Sequence, residues 1–159
     1  MFEIRPAEEK DCALVLDFIC QLADYEKLLH EVKATVDDVR RELFSDQPSA
    51  HALIAYENAV PVGFALYFYN FSTFLTRRGL YLEDIFVAPA YRGRGYGKAL
   101  MRHLAKLAVE QKCGRFEWVV LEWNKPAIGF YEKVGAQVMQ DWRLCRLTGE
   151  ALNRFAEGS

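Results

Sequence analysis

The chain has 159 residues, 52% of them apolar, and a formal net charge of -2. This length and composition predict one domain over residues 1–159 with a single core, and the nearly balanced charge gives no general attraction to nucleic acid. The N-terminus lacks the basic start and apolar centre of a signal peptide, and the longest apolar run is too short to span a bilayer. We therefore expect a soluble cytoplasmic protein without a membrane or nucleic-acid partner.

Cysteine and histidine residues are few and scattered. The four cysteines, Cys12, Cys20, Cys113 and Cys145, form no C-x-x-C pair, and the three histidines are far apart in the sequence. A metal site needs several such ligands at suitable spacing. We therefore expect no metal and reduced thiols.

The N-terminal part predicts one strand and two helices. The segment FEIRPA alternates like a strand, and the apolar stripe after it has a nearly helical period, which predicts a helix from about Glu8 to Leu28. Thr35 and Asp38 have the spacing of a capping pair, so a second helix is expected to begin there.

Three strands are predicted after these helices. The segments HALIAY, VPVGFALYFYNF and GLYLEDIFVA are rich in β-branched and aromatic residues, and ENAVP and LTRRG between them supply turns. Consecutive strands joined by short turns predict an antiparallel meander.

The C-terminal part predicts further strands and helices. RFEWVVLEW has the composition of a strand. Asn124 and Pro126 are expected as the N-cap and first residue of a short helix that stops at Gly135. The tail WRLCRLTGEALNRFAE predicts one more strand and a terminal helix.

A glycine-rich loop, YRGRGYGKAL, separates the last meander strand from a predicted helix that begins near Tyr96. Glycines that open a helix present backbone N–H groups at the positive end of the helix dipole, which favours phosphate. The spacing excludes a Walker loop, because three residues separate Gly93 from Gly97 and Lys98 is followed by alanine. A dinucleotide fingerprint is excluded as well, because it needs G-x-G-x-x-G near the start of a βαβ unit.

The remaining pattern, Arg92-x-x-Gly95-x-Gly97, resembles the R/Q-x-x-G-x-G/A loop of the GCN5-related N-acetyltransferase (GNAT) superfamily. Longer segments, YLEDIFV and LEWNKPAIGFYEKVGA, are similar to the diamine (spermidine/spermine) N-acetyltransferase family. This resemblance implies an α+β fold with a mixed, mostly antiparallel sheet of six to seven strands, four to five helices and a V-shaped splay between the central strands. It also implies a homodimer.

The resemblance further implies an enzyme that moves acetyl from acetyl-CoA to a primary amine of a small cationic acceptor by direct attack in a ternary complex. It leaves diamines, polyamines and thialysine-like amino acids open as acceptors. Two alternatives also remain: a non-catalytic acyl-CoA-binding sensor module, and a peptide or protein N-acetyltransferase with an open acceptor groove. The presence of both Tyr131 and Glu83 argues against the sensor.

Acetyl transfer needs a neutral amine, a stabilised oxyanion and a proton for the departing thiolate. The resemblance implies that Tyr131 is the general acid and that Glu83 helps to remove the proton of the acceptor amine, directly or through water. Taken alone, Tyr131 would be interpreted as a core aromatic residue beside Phe130.

The acetyl-CoA site that the resemblance implies combines the end of a strand, the glycine loop and the short helix near Asn124. In the strand, backbone N–H and C=O groups are expected to pair with the pantetheine arm, as an added peptide would. The residues of this predicted site are Ile85, Phe86, Val87, Arg92, Gly93, Arg94, Gly95, Tyr96, Gly97, Lys98, Asn124, Pro126, Ala127, Tyr131 and Lys133.

The acceptor channel that the resemblance implies is lined by acidic and aromatic residues, namely Tyr25, Glu26, Glu83, Asp84, Asp141 and Trp142. Glu83 and Asp84 are adjacent in a strand, so their side chains are expected on opposite faces. An acid in an apolar strand is costly to bury without a partner, which favours a role in a site. If Arg77 and Arg78 point inward, they oppose a cationic acceptor and favour a short diamine or an amino-acid-like amine over a long polyamine.

Overall fold

The computed structural model describes residues 1–158, and the chain divides into two compact units, Met1–Val119 and Val120–Ser159. The strands of the first unit are β1 (Phe2–Pro6), β2 (His51–Glu57), β3 (Val60–Ser72), β4 (Arg77–Val87) and β5 (Phe116–Glu117). Its helices are α1 (Cys12–Tyr25), α2 (Val36–Phe44) and α3 (Tyr96–Glu110). The second unit contains α4 (Lys125–Lys133) and α5 (Gly149–Ala156). Within residues 1–158, no helix is long and apolar enough to cross a membrane.

The strands form one sheet in the order β1-β2-β3-β4-β5. The first four strands pair antiparallel, as the predicted meander requires, whereas β5 pairs parallel with β4. The parallel pairing consists of Leu80 with Phe116 and Tyr81 with Glu117, although β4 continues to Val87. The predicted α+β fold with a mixed, mostly antiparallel sheet and up to five helices is therefore confirmed. Among the described residues the sheet has five strands instead of six or seven.

The first two helices begin and end for local reasons. At α2, the backbone N–H of Asp38 donates to Thr35 Oγ1 at 3.1 Å, and that of Thr35 donates to Asp38 Oδ2 at 2.9 Å, so the predicted capping pair is confirmed. The first helix is shorter than predicted. A turn of 3₁₀ helix at Glu9–Asp11 precedes α1, and Lys27 has a left-handed φ of 63°, which is incompatible with continuing the helix to Leu28.

The core of the first unit lies on both faces of the sheet. From α1, Phe18 stacks on Phe64 of β3 with 5.4 Å between the ring centroids. The α1 side of the core also contains the buried residues Cys12, Val15, Leu22, Val39, Ala50, Ala52, Ile54, Leu66 and Phe86. Helix α3 contacts β3 and β4 and buries Leu100, Met101, Leu104 and Ala108. Burial of each large side chain stabilises the fold by about 1.5–3 kcal/mol.

A bulge interrupts β4 at Glu83. Leu82 pairs with Tyr67 and Asp84 pairs with Leu66, so Glu83 is the additional residue on its strand. Because cross-strand partners share a face of the sheet, Asp84 lies on the face of Leu66, which packs with α1, while Leu82 lies on the other face. The bulge therefore replaces the simple alternation that was expected for Glu83 and Asp84.

One strand prediction is confirmed over two residues only, and another, in the second unit, is wrong. Of RFEWVVLEW, only Phe116 and Glu117 form a strand, and within the described residues the tail from Trp142 to Leu147 has no strand. A strand exists only where a neighbour supplies backbone hydrogen bonds, and composition cannot supply that neighbour. The terminal helix is confirmed as α5.

Candidate functional site

The glycine loop owes its shape to two residues in the left-handed region. Gly93 has a φ of 80° and Gly95, the N-cap of α3, has a φ of 83°. A Cβ atom at either position would meet no described atom within 4 Å. These glycines are therefore required by the backbone conformation, and the space above the loop is open to a ligand.

The N-terminus of α3 suits an anion. The helix has 15 residues, and among the described residues no side chain caps its first turn. The N–H groups of that first turn have no partner within the helix, and they coincide with the positive end of the dipole. A Cβ at Gly97 would lie 3.9 Å from Val87 Cγ2, so this position has room for a ligand too. The loop therefore fits the predicted phosphate site.

Two loop side chains are held by a residue that sequence reasoning missed. Arg94 Nη1 donates to Glu57 Oε1 at 2.7 Å, and the Tyr96 hydroxyl donates to the same oxygen. Both hydrogen bonds lower the pKa of Glu57, and the one from Tyr96 has the larger effect. Glu57 ends β2, 37 residues before Arg94, and no spacing rule connects them. The two hydrogen bonds to Glu57 hold the loop in place. Lys98, which is exposed, is a cation at the start of α3.

The Arg92 side chain contacts the end of β4 and two aromatic rings. Its Nε donates to the carbonyl oxygen of Val87 at 2.8 Å. Its guanidinium carbon is 5.0 Å from the ring centroid of Tyr25 and 5.1 Å from that of Phe86. The side chain thus connects the loop to α1 and to the core.

The end of β4 beside the loop has a backbone edge available for a ligand. Ile85, Phe86 and Val87 pair with Ala65, Phe64 and Gly63 of β3. On the opposite edge, the pairing with β5 involves only Leu80 and Tyr81 among the described residues. Apart from the carbonyl oxygen of Val87, which accepts from Arg92, the backbone groups of this edge are not paired with β5 within residues 1–158, which fits the predicted extended binding of a ligand arm.

Three carboxylates form an acid cluster in the first unit, defined as Glu26, Glu83 and Asp84. Burial, and then the negative charges of Glu83 and Glu26, raise the pKa of Asp84 to about 7. Burial also raises the pKa of Glu26. Glu83 is exposed. A pKa of about 7 suits Asp84 to act as a general base.

Arg77 and Arg78 lie far from this cluster along β4. Asp84 follows Arg77 by seven residues in the same strand, a distance of about 23 Å at 3.3 Å per residue. The Arg78 guanidinium carbon lies 4.7 Å from the ring centroid of Tyr69. At this separation along the strand, the charge of Arg77 is well screened from Asp84, so it does not oppose a cationic acceptor there.

Helix α4 carries the predicted residues of the second unit. Asn124 is its N-cap and is 9% exposed, but among the described residues its side chain makes no capping hydrogen bond. The helix begins at Lys125, so Pro126 is its second residue instead of its first. Both positions belong to the first turn, where a missing N–H costs no helical hydrogen bond.

The C-terminal end of α4 confirms the predicted stop. Gly135 has a φ of 99°, and its N–H donates to the carbonyl oxygen of Glu132 at 3.0 Å. The N–H of Ala136 donates to the carbonyl oxygen of Tyr131 at 3.0 Å, which completes a Schellman motif. Tyr131 is thus held within the last turn, and its ring centroid is 5.6 Å from that of Phe130.

The other predicted residues of the second unit are less enclosed. Ala127 is half-buried, and Lys133 is exposed. Asp141 and Trp142 are exposed and lie outside helix and strand, with Trp142 76% exposed. The structure thus brings Tyr25, Glu26, Glu83, Asp84 and the glycine loop together in the first unit. The roles predicted for the second unit stay predictions.

Comparisons with known proteins agree with this geometry. The sequence profile of the Acetyltransferase (GNAT) family matches residues 18–136. The chain is 37% identical over 164 residues to the thialysine N-epsilon-acetyltransferase of Mus musculus, covering 96% of each chain. It is 46% identical to an L-ornithine N5-acetyltransferase of Arabidopsis thaliana, over 77% of this chain and 51% of that one. An integron cassette protein of Vibrio cholerae has a similar structure, with a TM-score of 0.82, 28% identity and 98% coverage of both chains.

Proposed function

Because the chain belongs to the acetyltransferase (GNAT) family and is an acetyl-CoA-dependent N-acetyltransferase, we propose that its acceptor is a small molecule with a primary amine and a further positive charge. The acid cluster is the observation that carries this proposal, because carboxylates in a partly buried position attract an ammonium group strongly.

Amino acids with a terminal side-chain amine are the preferred acceptors. Relatives of the chain are named for thialysine and for ornithine, and a human relative at 34% identity is named a spermidine/spermine N(1)-acetyltransferase-like protein. Thialysine and ornithine both have an α-ammonium group in addition to the reacting amine. Diamines and polyamines share that second charge, and the distant Arg77 and Arg78 do not exclude them.

The chain is proposed to hold acetyl-CoA through its backbone. Loop amides of Gly93, Gly95 and Gly97 would bind the pyrophosphate, and the strand edge at 85–87 would pair with the pantetheine arm. In the second unit, Asn124, Pro126, Ala127, Tyr131 and Lys133 remain proposed contacts. When bound, acetyl-CoA supplies an activated acetyl group.

The proposed chemistry uses two proton carriers of the chain. In place of Glu83, the base that the family resemblance implies, Asp84 is proposed to accept the proton that the amine loses, because its pKa is raised to about 7. The Tyr131 hydroxyl donates a proton to the departing sulfur. An N–C bond forms and the C–S bond breaks, so the products are an N-acetylated amine and a free thiol. Glu26, Tyr25, Asp141 and Trp142 are proposed to orient the cationic end of the acceptor.

Thiol release from acetyl-CoA tests this function directly. The purified protein is assayed with thialysine, lysine, ornithine, putrescine, spermidine and spermine, and with an uncharged arylamine and a peptide N-terminus as controls. We expect the highest kcat/KM with the amino acids. Equal turnover of the arylamine would contradict the cationic-acceptor proposal. Turnover of the peptide alone would favour a protein N-acetyltransferase, and coenzyme binding without any turnover would favour a sensor.

We further infer that the enzyme is a homodimer, as its family resemblance implies, and that it is cytoplasmic, as the sequence led us to expect. Support comes from exposed apolar side chains in the second unit, where Leu144 is 68% and Phe155 is 72% exposed. Exposed apolar residues of this size favour association. Light scattering after size-exclusion chromatography measures the molar mass, and a monomer at all concentrations would contradict the dimer.

A further inference from the structure

The contacts of the Arg92 side chain are not explained by phosphate binding. Its hydrogen bond to Val87 fixes it to the end of β4, and its guanidinium group contacts the rings of both Tyr25 and Phe86. A guanidinium placed over an aromatic face is attracted by the ring quadrupole. The charge of Arg92 is therefore directed at α1 and at the core.

The rings of Phe86 and Tyr25 differ in how deeply they are buried. Phe86 is 6% exposed and packs against Phe18 with 6.5 Å between the ring centroids, so it belongs to the core. Tyr25 is 42% exposed and is the last residue of α1, directly before Glu26. Lys27 then turns the chain with its left-handed φ of 63°. Arg92 thus connects the exposed ring of Tyr25 to the buried ring of Phe86.

We propose that Arg92 is a positioning residue for the acceptor amine, because it holds Tyr25 beside Phe86 and so fixes the neighbouring carboxylate of Glu26 in the acid cluster. The inference rests on the proposed function, in which Tyr25 and Glu26 contact the acceptor. A cation at the C-terminal end of α1 also interacts favourably with the helix dipole. Lysine cannot replace Arg92, because an ammonium group lacks both the planar fork and the Nε donor.

The first test separates binding of acceptor from binding of coenzyme. Arg92→Lys is expected to raise the KM for thialysine or ornithine about two- to fivefold, the size of an exposed cation–π contact. The Kd for coenzyme A, measured by titration calorimetry, is expected to change by less than about twofold, because the positive charge is kept. Arg5→Lys is the matched control, since Arg5 lies 4.0 Å over the ring of Tyr56. A Kd that rises more than KM would overturn the proposal.

The second test is a double-mutant cycle. In a Tyr25→Leu background, Arg92→Lys is expected to have no further effect on acceptor KM, whereas in a Tyr25→Phe background its full effect should remain. Additive effects in the leucine background would overturn the proposal.

A third measurement does not depend on activity. Ring-current shifts of the Arg92 side-chain protons, seen by NMR, should be reduced by Tyr25→Leu and kept by Tyr25→Phe. Wild-type protein that acetylates no amine would contradict the proposed function itself. Unchanged Arg92 shifts in Tyr25→Leu would instead overturn the inference about Arg92.

Discussion

The glycine loop and the acid cluster adjoin the same end of β4 but use different parts of the chain. In the loop, left-handed glycines and helix amides are the functional groups, and side chains such as Arg94 and Tyr96 are held by Glu57. In the cluster, side-chain carboxylates are the functional groups, and Asp84 has a raised pKa. Coenzyme binding at the loop should therefore be sensitive to substitutions that add side-chain atoms, whereas catalysis at the acid cluster should be sensitive to substitutions that change charge.

The largest effect is expected from Gly95→Val and Gly97→Val. A branched Cβ would obstruct a phosphate at the loop amides, so the affinity for coenzyme A should fall by at least about 10²-fold. Gly95→Val should also lower Tm because of its φ of 83°, whereas Gly97→Val should keep Tm, since its Cβ has room. Calorimetry and thermal unfolding measure the two effects. Unchanged affinity in folded Gly97→Val would show that the loop does not bind the coenzyme.

Tyr131→Phe is expected to have the next largest effect. Losing a general acid typically lowers kcat on the order of 10² to 10⁴-fold, while the affinity for coenzyme A should be unchanged because the ring is retained. Single-turnover kinetics and calorimetry separate these quantities. Phe130→Leu, a neighbour without a hydroxyl, is the control, and wild-type turnover in Tyr131→Phe would remove the assigned role.

Asp84→Asn tests the charge side of the comparison. The wild-type kcat/KM should rise with pH through about 7 as Asp84 loses its proton. In the variant this pH dependence should be absent, and the rate should be about 10²-fold lower. The pKa of Asp84 in the folded protein is higher than its unfolded value of 3.8. Asp84 therefore contributes to the free energy of unfolding fully below pH 3.8, and this contribution is lost as the pH rises towards 7.

The same variant should therefore be more stable than wild type at pH 8. The pKa difference corresponds to on the order of 2–4 kcal/mol, and chemical unfolding at pH 4 and pH 8 measures it. At pH 4 the two proteins should differ little. A variant that is less stable at pH 8 would show that the carboxylate is not penalised by burial.

The smallest effect is expected from Glu83→Gln. Glu83 is exposed, and it acts on Asp84 as a neighbouring charge, so its loss should lower the pKa of Asp84 and shift the pH profile to lower pH. The change in maximal kcat should be only a few-fold. If Glu83→Gln lowers kcat as much as Asp84→Asn does, then Glu83 is the base.

Local patterns in the sequence predicted much of the first unit. The capping pair of Thr35 and Asp38, the meander and the glycine loop depend on neighbouring residues, so their signals are complete within short segments. The Gly135 stop is local as well.

Features that depend on distant partners could not be predicted. The contacts of Glu57 with the loop and of Arg92 with Tyr25 join segments that no spacing rule relates. The raised pKa of Asp84 requires the register of β4 against β3, because the bulge decides which face the carboxylate occupies. Adjacent acids in an apolar strand did not distinguish Glu83 from Asp84, and the family resemblance implied Glu83 as the base.

The bulge at Glu83 also has a consequence for chain length. If this one residue were deleted, Leu82 and Asp84 would become consecutive, and their partners Tyr67 and Leu66 are already consecutive in β3. Both halves of the strand would then keep their present partners and faces, although deletions inside strands normally invert the pattern. A deletion of Glu83 would therefore not by itself exchange buried and exposed residues, although it lies inside the longest ladder of the sheet.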